Sequence, residues 1–320
     1  MGKYILSGNS AWKQSIEKAG LENTWFTPDF VSLAAEHIAK SLLDEAILKQ
    51  WAASYFLPEE KKDPGTVGIV MAGNIPLVGF HDFLSVFISG HKALIKTSSK
   101  DSILIRHLAE KIIEWEAETR PMIRFEEMLK NCDAYIATGN NSSSRYFLHY
   151  FGKYPHIIRR NRTSAALLWG NETVTDLEKL ADDVFLYFGL GCRNVTKIFV
   201  PHHYDFVPLL NAFKKYEYFA EHHKYKNNYD YNLTLHILNN KYYMTNGAVL
   251  LSENESLFSP ISQLHYEFYN DRDEQISLLS SHSDLQCVVG SGQVPFGQSQ
   301  FPRILDYADG VDTLQFLARL

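Results

Sequence analysis

The sequence predicts an α/β fold: a Rossmann-like unit followed by a second α/β unit. Two observations predict it. From Thr66 onward, short apolar runs of strand length alternate with amphipathic stretches of helical period. The runs are apolar throughout rather than alternating, which is the mark of strands covered on both faces in a parallel sheet.

The elements follow in order. The first 60 residues read as a helical arm, as in FVSLAAEHIAKSLLDEAILKQWAASYF with apolar positions three and four apart. EEKKDPG, from Glu59 to Gly65, is a charged turn and a boundary. TVGIVMAG is then a strand, IPLVGFHDFLSVFIS a helix and KALIKTS a strand. KDSILIRHLAEKIIEWEAE is a helix with Ser98 or Ser99 as its N-cap, FEEMLKN a further helix and CDAYIATG a strand. SSSRYFLHYF (helix) and PHIIRR (strand) complete the first unit. Such a sheet binds ligands beyond the carboxyl ends of its strands, here Gly73-Asn74, Lys96-Thr97-Ser98 and Thr138-Gly139-Asn140.

The second unit starts near Thr163. TSAALLWG is a strand, TVTDLEKLADDVFLYFG a helix, VTKIFVP a strand and DFVPLLNAFKKYEYFA a helix. LTLHILNNKYYMTNGAVLLS reads as a hairpin turning at Asn239-Asn240, followed by another strand and helix. The expected division is 1–162 for the arm and cofactor unit, 163–294 for the catalytic unit, and 295–320 for a segment returning to the core.

Composition narrows the function. A net charge of -6 and a pI near 6.1 lack the basic footprint of a nucleic-acid binder. The three cysteines form no CxxC pair, and the amino terminus shows no signal-peptide pattern, so a reducing cytoplasmic setting is expected. The most apolar stretch, GIVMAGNIPLVGFHDFLSVFISG, is interrupted by Asn74, Pro76, His81 and Asp82, so no membrane insertion is expected. GxGxxG, Walker, GxSxG and HExxH motifs are absent. The doublets His202-His203 and His222-His223 place adjacent side chains on opposite faces of a strand, and no metal site is expected.

Cys192 stands apart from Cys132 and Cys287, which read as core residues. It lies in YFGLGCRNVTKIFVP, between Gly191 and Arg193, where a helix hands over to a strand. Small Gly191 leaves room for a substrate, and Arg193 is a cation that could favour a thiolate.

The order of several motifs gives this thiol a context. GNIPL, GHKALIKTSS, ATGN and GLGC resemble, in that order, the Asn-Pro turn, the second-strand Lys segment, the Thr-Gly-Ser turn and the nucleophile segment of the aldehyde dehydrogenase superfamily. ESLFSPISQLHYEFYNDRDEQISLL and VPFGQSQ continue the match. Within the superfamily, NTWFTPDFVSLAAEHIAKSL and ILDYADGVDTLQFL look like the LuxC-type fatty acyl-CoA reductase family.

The resemblance implies NAD(P)H-dependent reduction of an acyl-CoA, or another acyl thioester, to an aldehyde. Cys192 would be the nucleophile and Asn74 the side-chain donor to the oxyanion. Lys96, Thr97, Ser98, Thr138, Gly139 and Asn140 would bind the cofactor, NADP in preference to NAD. The departures are informative. Counting back from Cys192, Ile158 falls where hydrolytic relatives carry a Glu that activates water, and Arg160-Asn161 stand for a Gly-Gly pair. Ser256 stands where a ribose-binding Glu would be, and Leu190 replaces a Gln. There is little room for the family's oligomerisation hairpin, which leaves the assembly open, a dimer included. The competing readings are an acyltransferase or thioesterase-like protein without hydride chemistry, and a non-catalytic binder of acyl carriers.

Overall fold

The computed structural model describes all residues except 59, 60 and 291. The first two residues of EEKKDPG therefore lie outside the described residues. The chain divides into one unit of Met1–Asn161 with Pro302–Leu320, and a second of Arg162–Phe301.

The first unit is built on five parallel strands: β1 (Thr66–Val70), β2 (Lys92–Lys96), β3 (Ile123–Phe125), β4 (Ala134–Thr138) and β5 (His156–Arg159). Their order is β3-β2-β1-β4-β5. The chain builds outward from β1 through β2 and β3, then crosses back to β4, so the order reverses between β1 and β4. That reversal opens a crevice at the carboxyl ends of the two central strands. Val67, Ile69, Ile95 and Ile136 are buried, as a sheet covered on both faces requires. Helices Phe80–Ile88, Ile103–Trp115 and Asn141–Phe151 follow β1, β2 and β4.

The amino-terminal arm supplies helices Ser10–Glu22, Pro28–His37 and Glu45–Ala53. Asn9, Thr27 and Asp44 cap them by accepting first-turn N–H groups. The carboxy-terminal segment is tied in by Arg159. This buried side chain pairs with Asp82 (Nη2–Oδ1 2.7 Å) and donates to Thr313 Oγ1 at 2.8 Å and to the Ala308 carbonyl at 2.6 Å. A buried pair so fully hydrogen-bonded fixes geometry more than it adds stability.

Three local expectations change here. The helix after β1 starts at Phe80, because Pro76–Gly79 form turns and Leu77 takes a left-handed φ of 56°. The helix after β2 starts at Ile103 behind Ser102 rather than at Ser98 or Ser99, since Ser98 and Asp101 bridge to each other first. FEEMLKN forms no helix: Phe125 closes β3 opposite Ile95, and Asn131 is left-handed.

The second unit carries β6 (Thr163–Leu167), β7 (Val195–Pro201), β8 (Met244–Thr245), β9 (Leu250–Glu253), β10 (Gln263–Tyr269) and β11 (Leu285–Val289). The order is β11-β6-β7-β10-β9-β8, parallel except for β8 against β9. Thr173 opens helix Val174–Phe185 with a reciprocal capping box to Asp176.

The expected hairpin at Asn239-Asn240 is instead the end of helix His223–Leu238. Tyr225, Asn232 and His236 are buried seven and four residues apart, a helical spacing. Leu235, Ile237 and Leu238, in the stretch expected to be a strand, face solvent. Among the described residues no helix is long and apolar enough to cross a membrane.

Candidate active site

In the first unit, the residues assigned to oxyanion and cofactor roles gather at the carboxyl ends of β1, β2 and β4. Asn74 is exposed on the turn after β1, and Lys96 is the exposed last residue of β2, paired with Val70. The two loops interlock. A Cβ on Gly73 would lie 2.6 Å from both Cβ and Oγ of Ser98, so only glycine lets them meet. Beyond that contact, the Leu77 N–H donates to Asp101 Oδ2 at 2.7 Å. The Asp101 carboxyl is buried and its Oδ1 has no partner among the described residues. Burial pushes its pKa up to about 7, against the opposing pull of the Leu77 N–H.

The third loop is less open to a ligand than its sequence suggested. Asn140 Oδ1 accepts from Ser143 N at 2.8 Å and caps helix Asn141–Phe151. A Cβ on Gly139 would lie 2.8 Å from Ser143 Cβ and from the Phe147 ring, so that space is filled from within. Thr138, half-buried at the end of β4, remains beside the sheet crevice. The donor set at this edge is thus a cation, Lys96, with the hydroxyls of Thr97, Ser98 and Thr138. That chemistry suits the ribose and phosphate groups of a dinucleotide.

The Cys192 turn belongs to the second unit, so the structure divides the assigned residues between the two units. Helix Val174–Phe185 ends in a tight turn, Leu186–Gly189, in which Tyr187, Phe188 and Gly189 are all left-handed (φ 56°, 58° and 74°). Two buried non-glycine residues in that region store backbone strain, which gathers at functional loops. Gly191 to Asn194 then close a turn, with Asn194 N donating to the Gly191 carbonyl at 3.1 Å. Cys192 is half-buried on it.

Three side chains that the sequence reading passed over hold this turn. Asn194, fully buried, accepts from Gly191 N at 2.7 Å and donates to the carbonyls of Asp183, Val184 and Leu186. The Ser164 hydroxyl on β6 lies 3.1 Å from the Cys192 carbonyl and 3.1 Å from Cys287 Sγ. Asp183, also fully buried, accepts from Gly297 N at 2.6 Å and Ser299 N at 2.9 Å, fastening VPFGQSQ to the helix before Cys192. Burial raises its pKa to about 6, with those donors holding it back.

Arg193 reaches the Cys287 thiol, which burial pushes up while Ser164 and Arg193 draw it down. Cys287 is therefore a half-buried neighbour of the turn rather than a core residue. Cys132 is buried.

The histidine doublets are occupied structurally. His202 pairs with Asn270 at 2.8 Å, and His222 caps helix His223–Leu238 and packs on Phe188. Ser256 turns inward on its own loop, donating to the Phe258 carbonyl at 3.0 Å.

A family model described as acyl-CoA reductase (LuxC) matches residues 32–206, more than half of the chain and the stretch that carries Asn74, Lys96 and Cys192. The chain belongs to this acyl-CoA reductase family. No curated protein matches it in sequence. Solved aldehyde dehydrogenases share the fold of this family member. The NAD-dependent aldehyde dehydrogenase of Sinorhizobium meliloti is 13% identical at a TM-score of 0.63, covering 90% of this chain and 67% of that one. The succinic semialdehyde dehydrogenase of Streptococcus pyogenes, solved with NADP+, is 13% identical (TM-score 0.60, 90% and 74% covered). The aldehyde dehydrogenase AldC of Pseudomonas syringae, solved with NAD+ and octanal, is 12% identical (TM-score 0.64, 91% and 70% covered). The fold is thus aldehyde dehydrogenase-like, and with the family it supports an oxidoreductase of aldehyde-related chemistry.

Proposed function

We propose that the protein reduces an acyl-CoA, or a related acyl thioester, to the aldehyde through an acyl group carried on Cys192. The family match across Cys192 carries the proposal. The Cys192 thiolate attacks the thioester carbonyl, and the departing thiolate needs little acid assistance. Asn74 and the Cys192 backbone N–H are assigned to the oxyanion of that step, as the family resemblance implies. Ile158, an aliphatic residue within β5, stands where hydrolytic relatives carry their base, so water is left unactivated and the acyl group persists.

A nicotinamide cofactor, NADP in preference to NAD, would supply the hydride that discharges the acyl group as aldehyde. Lys96, Thr97, Ser98 and Thr138 would hold it, with Gly139 and Asn140 shaping the loop beside it. Solved structural relatives containing NAD+ and NADP+ support a cofactor of this class.

Ser256 favours a second reading, acyl transfer without hydride chemistry, because it offers a short hydroxyl already engaged in its own loop where a ribose-binding carboxylate is expected.

Intact-mass analysis after incubation with acyl-CoA separates the readings. The reductase gives one acyl adduct, absent in Cys192→Ala and discharged as aldehyde by NADPH. An adduct that NADPH leaves untouched selects acyl transfer, and no adduct at any chain length with folded protein rejects both.

A further inference from the structure

A thiol placed just beyond the carboxyl end of a helix is in an unfavourable field. The last carbonyls of a helix lack intrahelical partners and together carry roughly half a negative charge, which disfavours a thiolate nearby. Cys192 sits seven residues past Phe185, where helix Val174–Phe185 ends. The chain cannot cap those carbonyls by simple continuation, because Tyr187, Phe188 and Gly189 turn left-handed immediately afterwards.

Asn194 resolves this from outside the helix. Its Nδ2 donates to the carbonyls of Asp183 at 3.2 Å, Val184 at 3.1 Å and Leu186 at 2.9 Å. The opposite end of the same amide, Oδ1, accepts from Gly191 N, the residue before the thiol. Its backbone completes the frame, donating to the Gly191 carbonyl and accepting from Ser164 N at 3.1 Å each. Few side chains can do all of this from a fully buried position. Aspartate offers no donor and would bury a charge, alanine offers neither function, and serine offers one donor where three carbonyls converge.

We propose that Asn194 is the positioning residue of the nucleophile turn: its amide closes Gly191–Asn194 and caps the helix end, so that the Cys192 thiol is shielded from the helix's negative terminus. This rests on Cys192 being the nucleophile, and it adds a determinant of reactivity that lies outside the reacting atoms.

Other charges near the turn must be held apart from this effect. They are Arg193 on the turn itself, the Cys287 thiol on β11 and the Asp183 carboxyl on the helix, which titrates near 6. Tyr187, raised by burial, stays neutral across the range of interest.

The test is the rate of alkylation of Cys192 by iodoacetamide against pH, from about pH 7 upward so that Asp183 is already ionised, read peptide by peptide so that buried Cys132 serves as the control. Wild type is compared with Asn194→Ser, whose single, shorter hydroxyl replaces the amide, and Asn194→Ala, which has no polar group, with melting temperature measured in parallel. Loss of the cap is expected to move the Cys192 midpoint upward by about one pH unit in Asn194→Ala, slowing alkylation at neutral pH about tenfold. Asn194→Ser should fall between. A lower melting temperature in both variants with an unmoved Cys192 profile overturns the proposal and leaves Asn194 a purely structural residue. The assay uses neither acyl-CoA nor NADPH. Wild-type protein that shows no turnover would therefore reject the reductase reading without affecting this result.

Discussion

The turn carrying Asn74 and the turn carrying Cys192 both lean on buried polar side chains, and Asp101 and Asn194, one from each, differ in kind. Asp101 holds the Asn74 turn through a single N–H, from left-handed Leu77, and leaves its other oxygen without a partner among the described residues. Asn194 holds the Cys192 turn with an amide whose acceptor and donors are all engaged. The carboxyl therefore titrates near 7, whereas the amide does not titrate at all. Asp183 lies between them: two backbone donors bring a buried carboxyl back to about 6. Desolvation raises both carboxyls, and the hydrogen bonds supplied to each draw it back towards its ordinary value. Within the Cys192 turn the fold uses a neutral amide that adds no titration of its own, while Asp183 on the preceding helix supplies the titrating support.

The largest effect is expected at Asn74. Asn74→Ala removes the proposed oxyanion donor, and kcat/KM for acyl-CoA should fall by roughly 10²–10³-fold with little change in melting temperature. Steady-state kinetics beside thermal melts checks this.

Gly73→Ala attacks the contact between the two loops. The new methyl group lands within 2.6 Å of Ser98, and the loops must separate at a cost of about 1–3 kcal/mol. Denaturant titration should register that loss together with weaker NADPH binding. An unchanged midpoint would show that the loops move apart freely.

Asp101→Asn is the mildest change and makes the Asn74 brace as neutral as Asn194. Because the folded pKa of about 7 lies above the unfolded value near 3.8, the folded state binds the extra proton between these limits. Ionising Asp101 therefore costs folded stability, and the cost grows as pH rises from about 4 to 7. The wild-type melting temperature should fall across that window, with Asp183 adding to the fall up to about pH 6. The Asn variant should fall less. Parallel curves would mean that Asp101 keeps an ordinary pKa.

Much of the scaffold could be read from local pattern. The strands ending at Val70, Lys96 and Thr138 are runs of apolar residues of the kind a sheet covered on both faces uses, and they have adjacent carboxyl ends in the fold. The braces were not readable in the same way. Asp101 opens a charged helix-start sequence and looks solvated, yet its partner is Leu77, 24 residues earlier. Asn194 looks like an ordinary turn residue before a strand, yet its donors reach back to Asp183, 11 residues earlier. Helix His223–Leu238 was misread because Leu233, Leu235 and Ile237 alternate as a strand would, while the residues that bury it are Tyr225, Asn232 and His236. Polar anchors carry little weight in a hydrophobic period.

By itself, the sequence determined the α/β class, the strands whose ends carry the proposed cofactor residues, and the thiol between Gly191 and Arg193. These follow from periodicity and from motif order, both properties of neighbouring residues along the chain. Only the tertiary structure decided that Asn140 caps a helix, that Gly139 is filled by Phe147, and which buried groups support each turn. Desolvation and hydrogen-bond partnership arise only when distant segments pack, and they turn an ordinary Asp or Asn into the brace of a site.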